Sequence, residues 1–412
     1  MKRAFLTASV LFAATTVIGA AHASPGTLVV DKDKVQCPKA DFTSIQAAVT
    51  AAQPGDKIKV CPDLYNEDVT VNKPLTLQAT SKPDVDSCST PAPADPTQNA
   101  IVTGVTSSFT LLANDITLDG FVVQGNSTVG IRTSDAFSGY LIRENVVQSN
   151  DFSGINFLSS GTRESRVTHN CLRLNAFDGL ASEVSAEGAN LDNARVDHNF
   201  AIDNAVGIDP SGAGARVNVV LEHNESLGNI IGYAISNSTG SAIVHNSSEG
   251  DFFGIDVAGA NVGLDVGHNT VLAGARDGIV VTIFGSFPVF PAPSSNVDIS
   301  HNFVENRGRI GIGVAPISLV DSTIAYNKTL DNASDGIRLG RGNTGNEVAN
   351  NQSDRNGRDG IRALTGATGN TFENNSMFDN VEFDARDDNR PFNTWVNNHC
   401  LTDFPPGTIC GV

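Results

Sequence analysis

The residues of this chain best placed to do chemistry are two aspartates and two arginines that occupy one repeated position. A glycine followed by an aliphatic residue recurs throughout residues 130–362, and the next residue falls at an equivalent place in each repeat. Asp209, Asp256, Arg338 and Arg362 all stand at that place. Paired carboxyl groups serve as acid and base in glycoside hydrolysis. Arginine binds carboxylate or sulfate groups through two parallel hydrogen bonds.

The repeat itself is an aliphatic-x-x-Asn unit with a second turn-forming residue, usually Asn, five positions later. Short β-branched runs lie between these turn formers, and no helical spacing of apolar residues runs through the region. Each unit therefore predicts one coil of about three short strands. The ladder asparagines are Asn145, Asn170, Asn199, Asn224, Asn246, Asn269, Asn302, Asn327, Asn351, Asn375 and Asn398.

One such coil cannot bury its own apolar face, so the coils must stack. Stacking places equivalent residues above one another every ~4.8 Å and makes the asparagines into hydrogen-bonded columns. The sequence therefore predicts an all-β fold, a parallel β-helix of about 13–14 coils. We expect one domain over residues 24–412, with an N-terminal cap (24–57), coils (58–386) and a C-terminal cap (387–412).

Both ends of the stack need a cover, because an open sheet edge recruits other chains. Residues 41–52 predict an amphipathic capping helix with Asp41 or Thr43 as its N-cap. Residues 387–410 predict a compact plug, in which Trp395 packs in the cap rather than serving as a sugar platform.

The chain ends and the cysteines predict an exported protein. Residues 1–23 have the charged start, apolar run and Ala-x-Ala end of a signal peptide, so we expect a secreted or periplasmic product with no membrane insertion. Six cysteines in such a chain favour disulfides. The predicted pairs are Cys37–Cys61 and Cys400–Cys410, which leaves Cys88 and Cys171 as the remaining two.

The formal charge of −18, which becomes −20 without Lys2 and Arg3 of the leader, makes nucleic acid an unlikely partner. It also weighs mildly against pectate or alginate, although solubility alone explains such a charge. No motif predicts a cofactor. Calcium binding is compatible with the acidic surface. The sequence identifies no residues as metal ligands.

The alternation of side chains along a strand places the repeated position on the outer surface. Asp209 and Asp256 then lie two coils apart, with backbones ~9.6 Å from each other. This separation is near the upper limit for an inverting glycosidase. The alternative is a pair of solvated carboxylates. Arg338 and Arg362 are the predicted charge-binding subsites, and ion pairs with Asp335, Asp354 and Asp359 are the alternative.

Two further features carry open alternatives. An insertion at residues 284–295 holds Phe284 and Phe287 among prolines, which either stack on a sugar or pack on the rod or a second subunit. Six histidines precede ladder asparagines, and we expect a simple ring stack rather than a metal site, because a repeat lays its histidines in a line. These are His169, His198, His223, His245, His268 and His301.

On these Asn and Gly repeats the chain resembles the pectin-lyase-like superfamily of right-handed parallel β-helix proteins, in the branch with carbohydrate-binding proteins and sugar hydrolases. Residues 42–78 are also similar to the start of pectin methylesterases and of nitrous-oxide-reductase accessory proteins. The catalytic blocks of polygalacturonases and pectin methylesterases are missing, and Gly207-Ile208-Asp209-Pro210 resembles an epimerase motif but has Ser211 in place of its histidine.

The resemblance implies an extracellular polysaccharide as partner. Two hypotheses follow: a hydrolase or lyase with Asp209 and Asp256 as acid and base, and a non-catalytic glycan-binding or structural rod.

Overall fold

The computed structural model describes residues 25–90, 94–182, 189–212, 214–283 and 292–410. Within these ranges the chain is an all-β parallel solenoid of about 11 regular turns with a single short helix. Three long parallel sheets run along it, with 16, 12 and 14 strands in the order in which a turn visits them. The turns at the two ends lack strands in one or two sheets. For this reason the regular turns are fewer than the 13–14 coils expected.

The strands are short, because each spans one side of a turn. A two-stranded sheet pairs Ser294–Ser295 with Leu319–Val320. The first sheet contains Thr27–Val30, Lys57–Val60, Thr76–Ala79, Thr117–Asp119, Leu141–Arg143, Ser165–Thr168, Leu191–Asp197, Arg216–Glu222, Ser238–Thr239, Ala242–Val244, Asp265–Gly267, Asp298–Ser300, Thr323–Ala325, Glu347–Ala349, Thr371–Glu373 and Thr394–Val396.

The other two long sheets complete each turn. The second contains Asp63–Tyr65, Ala100–Val102, Val122–Gln124, Val146–Gln148, Cys171–Arg173, Phe200–Ile202, Glu225–Leu227, Ser247–Glu249, Thr270–Leu272, Phe303–Glu305, Lys328–Leu330 and Gln352–Asp354. The third contains Val69–Val71, Phe109–Leu111, Ile131–Arg132, Ile155–Asn156, Asp178–Ala181, Val206–Asp209, Ile231–Ser236, Phe253–Ala258, Ile279–Thr282, Ile312–Val314, Ile337–Leu339, Asp359–Ala363, Phe383–Asp387 and Asp403–Phe404.

Aliphatic columns fill the interior of the solenoid. In the first sheet Ile142, Val167, Val196 and Leu221 are paired in successive strands, and each is completely buried. Complete burial of one such side chain contributes roughly 1.5–3 kcal/mol. The stack is therefore stabilised along its whole length rather than at one central core.

The predicted asparagine columns exist and satisfy the corners between sheets. At the corner between the first and second sheets, each ladder asparagine accepts from the backbone and side chain of the preceding one. Asn199, for example, donates its backbone N–H and its Nδ2 to Asn224 Oδ1, both at 3.0 Å. A second column at the next corner runs from Asn150 through Asn175, Asn204 and Asn229 to Asp251.

The second column is interrupted where Gly274 and Arg307 replace asparagine. Arg307 supplies hydrogen bonds to the backbone at this interruption. Its buried guanidinium donates to the carbonyl groups of Leu272, Asp251, Phe252 and Asp277. A Cβ atom on Gly274 would lie within 2.2 Å of that guanidinium, so the glycine makes the space that Arg307 occupies.

The sequence predicted left-handed backbone at the turn-forming asparagines themselves. In the structure it lies one residue earlier. The residues with positive φ are those before the ladder asparagines, such as His169 (φ 52°) and Asn350 (φ 56°). The glycine of the Gly-aliphatic step is needed for another reason. A Cβ atom on Gly207 would lie 2.5 Å from the carbonyl oxygen of Gly232 in the next turn.

The front cap contains the predicted helix, but its N-cap prediction was wrong. The helix spans Ile45–Ala51, and Ser44 is the N-cap, with Oγ accepting from the N–H of Ala47. Glu67, more than twenty residues away, accepts from the N–H groups of Ile45 and Gln46. This distant carboxylate satisfies the first turn, a role that local sequence signals assigned to Asp41 or Thr43.

The disulfides are Cys37–Cys61, Cys88–Cys171 and Cys400–Cys410, so both predicted pairs are confirmed. At the back end Trp395 stacks on Phe372 with ring centroids 4.0 Å apart and donates Nε1–H to Asp387. Trp395 is thus part of the cap packing. The single helix of the described residues, Ile45–Ala51, is too short to cross a membrane.

The asparagine columns make a direct prediction for stability. Asn224→Ala removes four hydrogen bonds and leaves the buried backbone N–H of Asn199 without its acceptor. We expect the free energy of unfolding in urea to fall by about 3 kcal/mol. In the control Asn218→Ala, at an exposed site with φ 55°, the loss should be about 1 kcal/mol. Equal losses would contradict this role for the ladder.

Candidate functional site

The outer face of the third sheet carries the repeated position as one column. Strand pairing sets Asn156 beside Ala181, Ala181 beside Asp209, and Ala234 beside Asp256. Asp209 and Asp256 therefore lie two turns apart with Ala234 between them, or ~9.6 Å at the standard strand spacing. The column has the geometry that the repeat predicted. Its middle is buried: Asp209 is only 2% exposed.

Asp256 has a strongly raised pKa. Burial, and then the negative charge of Asp209, raise the pKa of Asp256 to about 7. Its Oδ1 is inaccessible to solvent and receives no hydrogen bond from the described residues. A carboxyl group that keeps its proton near neutrality can act as a general acid. Asp209 differs, since its Oδ1 accepts from the N–H of Ser211 at 2.9 Å.

A buried arginine lies beside Asp209. Arg216 is 1% exposed, and its guanidinium donates to the carbonyl groups of Pro210, Ser182 and Ser211. Burial lowers the pKa of Arg216 to about 10, although the nearby Asp209 opposes that change. Arg216 therefore supplies positive charge to Asp209, while the two causes acting on Asp256 both favour its protonated form.

The predicted charge-binding arginines are already paired. Arg338 Nη1 lies 3.5 Å from Asp335, and Arg362 lies 3.4 Å from Asp359 and 2.9 Å from Asp388. Their contacts therefore match the alternative interpretation, in which both arginines form ion pairs with aspartates of the protein itself. Burial and the charge of Asp335 raise the pKa of Asp359 to about 6.

An open cleft lies at the other end of the same column. It has a volume of about 640 Å³, and Arg132, Asp135, Asp151, Phe152 and Asn156 contribute to its lining. A cleft of this size that combines polar groups with an aromatic ring matches the usual form of a small-ligand site. Arg132 is exposed and forms no ion pair with the acidic side chains that the structure describes.

Arg132 could have been singled out from the sequence. The paired arginines end the tetrapeptides Asp335-Gly-Ile-Arg338 and Asp359-Gly-Ile-Arg362, in which the aspartate three residues earlier is the ion-pair partner. The equivalent tetrapeptide at Arg132 begins with Val129. The missing aspartate is a local signal that Arg132 is not neutralised in the same way.

An exposed apolar strip borders this face at the corner between the second and third sheets. We call Phe152, Phe177, Ile230, Phe252 and Phe253 the corner strip. The rings of Phe152 and Phe177 lie 4.6 Å apart, and those of Phe252 and Phe253 lie 5.1 Å apart. Phe177 is 50% exposed and Ile230 is 57% exposed. Sugar rings bind to such aromatic surfaces through their apolar faces, so the strip extends the cleft toward Asp256.

Two features of the sequence prediction have different outcomes. Phe284 and Phe287 lie outside the described residues, so their role stays a prediction. The histidines form the predicted stack, with ring centroids 4.7–5.2 Å apart from His169 to His301, and Tyr326 continues the stack.

The solenoid is similar in fold to solved structures of other proteins. Over 87% of this chain and 95% of the other, it is similar to the A-module of the mannuronan C-5 epimerase AlgE6 of Azotobacter vinelandii, with 12% identity and a TM-score of 0.52. The chain has a right-handed parallel β-helix fold. The catalytic unit of a thermostable α-1,3-glucanase from Streptomyces thermodiastaticus is also similar to this β-helix, with 15% identity, 93% and 71% coverage, and a TM-score of 0.47.

Sequence comparisons add one partial match. A family model described as periplasmic copper-binding protein (NosD) matches residues 289–403 of the β-helix, which is less than half of the chain. No curated protein sequence matches the chain.

The matched segment does not fit a copper site. Among the described residues, groups of three His, Cys, Asp or Glu side chains that converge lie only at residues 31–63 and 169–198. In the second group, His169, Asp197 and His198, the carboxylate of Asp197 already accepts two hydrogen bonds from Arg166. We therefore assign no copper chemistry to the β-helix.

The environment of Asp256 predicts a pH dependence of stability. The pKa of Asp256 is about 7 in the folded protein, above the ~3.9 of aspartate in an unfolded chain. Between these values the folded state binds more protons, so the free energy of unfolding falls as pH rises through this range. Asp256→Asn removes this dependence, and the variant should gain stability relative to the wild type between pH 5 and pH 8.

Urea unfolding at pH 5 and pH 8 checks this expectation. Glu347→Gln, at an exposed position of the first sheet, is the control and should show the same pH dependence as the wild type. A constant difference between Asp256→Asn and the wild type at the two pH values would rule out a raised pKa at this site.

Proposed function

We propose that the protein binds an extracellular polysaccharide along the outer face of the third sheet, with the Arg132 cleft as its principal subsite. The observation that carries this proposal is the cleft itself, in which Arg132, Asp135 and Asp151 offer hydrogen bonds beside the ring of Phe152. A secreted or periplasmic location is consistent with three disulfides and with the leader-like residues 1–23.

The length of the face favours an oligosaccharide chain over a single sugar. From Arg132 to Asp256 the column passes through Asn156, Ala181, Asp209 and Ala234. Five steps of ~4.8 Å give about 24 Å. The corner strip runs beside this path, so apolar contacts accompany the polar ones along it.

The charges of the cleft favour a neutral or sparsely charged polysaccharide. One arginine stands against two acidic groups, Asp135 and Asp151, and the whole chain carries −18. A densely charged polyuronate would meet net repulsion at low ionic strength. Arg338 and Arg362 stay candidates for binding acidic groups, but an anion would have to compete with Asp335, Asp359 and Asp388.

Substitution of Arg132 tests the binding proposal. Arg132→Gln removes the charged donor of the cleft, and we expect retention in affinity electrophoresis on neutral glycans to weaken by roughly ten-fold, the loss of about 1.4 kcal/mol. Arg355→Gln is the matched control, because Arg355 is exposed and pairs with Asp331. Retention that Arg132→Gln leaves unchanged, or that Arg355→Gln weakens equally, would contradict a subsite at Arg132.

Cleavage of the bound glycan is the second candidate function, and the raised pKa of Asp256 favours it. In this reaction Asp256 donates its proton to the leaving oxygen as the glycosidic bond breaks. Asp209, as the base, takes a proton from the water molecule that attacks the anomeric carbon. The burial of Asp209 favours the alternative, a binding rod without catalysis. Phe284 and Phe287 remain proposed sugar contacts.

Product release distinguishes the two candidates. Reducing ends and unsaturated products are measured from neutral, uronic and sulfated glycans, with and without calcium. In an enzyme, Asp256→Asn should lower the rate by at least 10²-fold, while Asp298→Asn should retain it. Release that survives Asp256→Asn would refute Asp256 as the acid. Retention of a glycan with no product would leave the binding rod.

A further inference from the structure

Three carboxylates meet at the front end of the solenoid, far from the Arg132 cleft. Asp31 and Asp33 lie in the segment after the first strand, Thr27–Val30, and Asp63 begins the first strand of the second sheet. One oxygen from each carboxylate lies within 4.8 Å of the other two. Asp31 is completely buried, Asp63 is half-buried and Asp33 is exposed, so the group opens to solvent on one side.

Backbone amides hold these carboxylates in place while leaving oxygens without donors. Asp31 Oδ2 accepts from the N–H of Cys37, and Asp63 Oδ1 accepts from the N–H of Leu64. The other oxygens, Asp31 Oδ1 and Asp63 Oδ2, are inaccessible to solvent and receive no hydrogen bond from any described residue. Asp33 Oδ1 accepts from the N–H of Val35 at 2.9 Å.

Among the described residues, no cationic side chain forms an ion pair with any of the three aspartates. Lys32 instead donates its Nζ to the carbonyl oxygen of Leu64 at 2.7 Å. Buried carboxylate oxygens without a donor or a cation are costly, so a fold that keeps them supplies a partner.

We propose that Asp31, Asp33 and Asp63 form a calcium-binding site. Calcium takes six to eight oxygen ligands at 2.3–2.6 Å, so two oxygens on the same ion can lie up to about 5 Å apart. Magnesium, with bonds of 2.0–2.1 Å, limits that separation to about 4.2 Å. The three ligand atoms lie within 4.8 Å of one another, which is inside the calcium limit. Carboxylates held by separate chain segments also suit the flexible coordination of calcium better than the strict octahedron of magnesium. Water completes the coordination on the open side.

The ion would fasten the front of the solenoid. It joins the segment of Asp31 and Asp33 to the strand of Asp63, next to the Cys37–Cys61 disulfide. Terminal units of a solenoid have a neighbour on one side only, so a cross-link there stabilises the unit that is most exposed to fraying.

Calcium titration of the metal-free mature chain tests the site. After treatment with EDTA and dialysis, isothermal titration with CaCl2 should show one ion bound per chain, and the melting temperature should rise in CaCl2 but much less in MgCl2 at equal ionic strength. Asp33→Asn and Asp63→Asn should each weaken calcium binding on the order of ten-fold or more, because each removes a charged ligand. Asp298→Asn is the control and should bind as the wild type does.

The exposed position of Asp33 makes this test independent of folding. Asp33→Asn should keep the circular dichroism of the wild type while losing calcium affinity. Calcium binding that both variants retain at wild-type affinity would overturn the proposal, since the ion would then bind elsewhere. Absence of binding in millimolar CaCl2, or an equal response to magnesium, would overturn it as well.

Discussion

The stacking of parallel turns every ~4.8 Å is the constraint on which the rest of this structure depends. It buries the corners as well as the strands, so the backbone groups of each corner must be satisfied within the solenoid. The asparagine columns do this with a side chain that both donates and accepts across turns. Asn224 donates to Val196 in the preceding turn and to Asn246 in the next, and it accepts from Asn199 in the preceding turn. A residue that only donates or only accepts cannot continue such a column. Where Arg307 enters the second column, it reaches four carbonyl groups instead.

The same constraint governs charge on the outer faces. Carboxylates in adjacent turns of one column lie close enough to repel each other. The third sheet reduces this repulsion in two ways. At Asp335 and Asp359, arginines three residues later in each strand supply the opposite charge. At Asp209 and Asp256, one alanine-bearing turn separates the acids, and the arginine nearby, Arg216, acts on Asp209. Asp256 has no such neighbour among the causes of its shift, and its pKa of about 7 follows. Asp359 also keeps a raised pKa, of about 6, but the charge of Arg362 opposes that change, whereas no cation among the described residues opposes it at Asp256.

The sequence predicted what the repeat determines and missed what distant contacts determine. The asparagine columns, the histidine stack and the common face of Asp209 and Asp256 follow from spacing, because stacking converts a period along the chain into a column in space. The N-cap was wrong, since Glu67 satisfies the helix from another turn. The pairing of Arg362 with Asp388 and the convergence of Asp31 and Asp33 on Asp63 escaped for the same reason. Nothing in the local sequence states that these residues meet.

The separation between the front cap and the Arg132 cleft has a consequence for how the two proposals relate. In a solenoid each turn contacts only its neighbours, so a local change of stability weakens with the number of turns that separate two sites. Asp63 lies in the first complete turn, whereas Arg132 lies two turns further along the third sheet, beyond the strands Val69–Val71 and Phe109–Leu111. Calcium at the cap therefore acts on the cleft only through the intervening turns. A glycan-binding face and an ion-stabilised end are compatible in one chain because they occupy different turns of the solenoid.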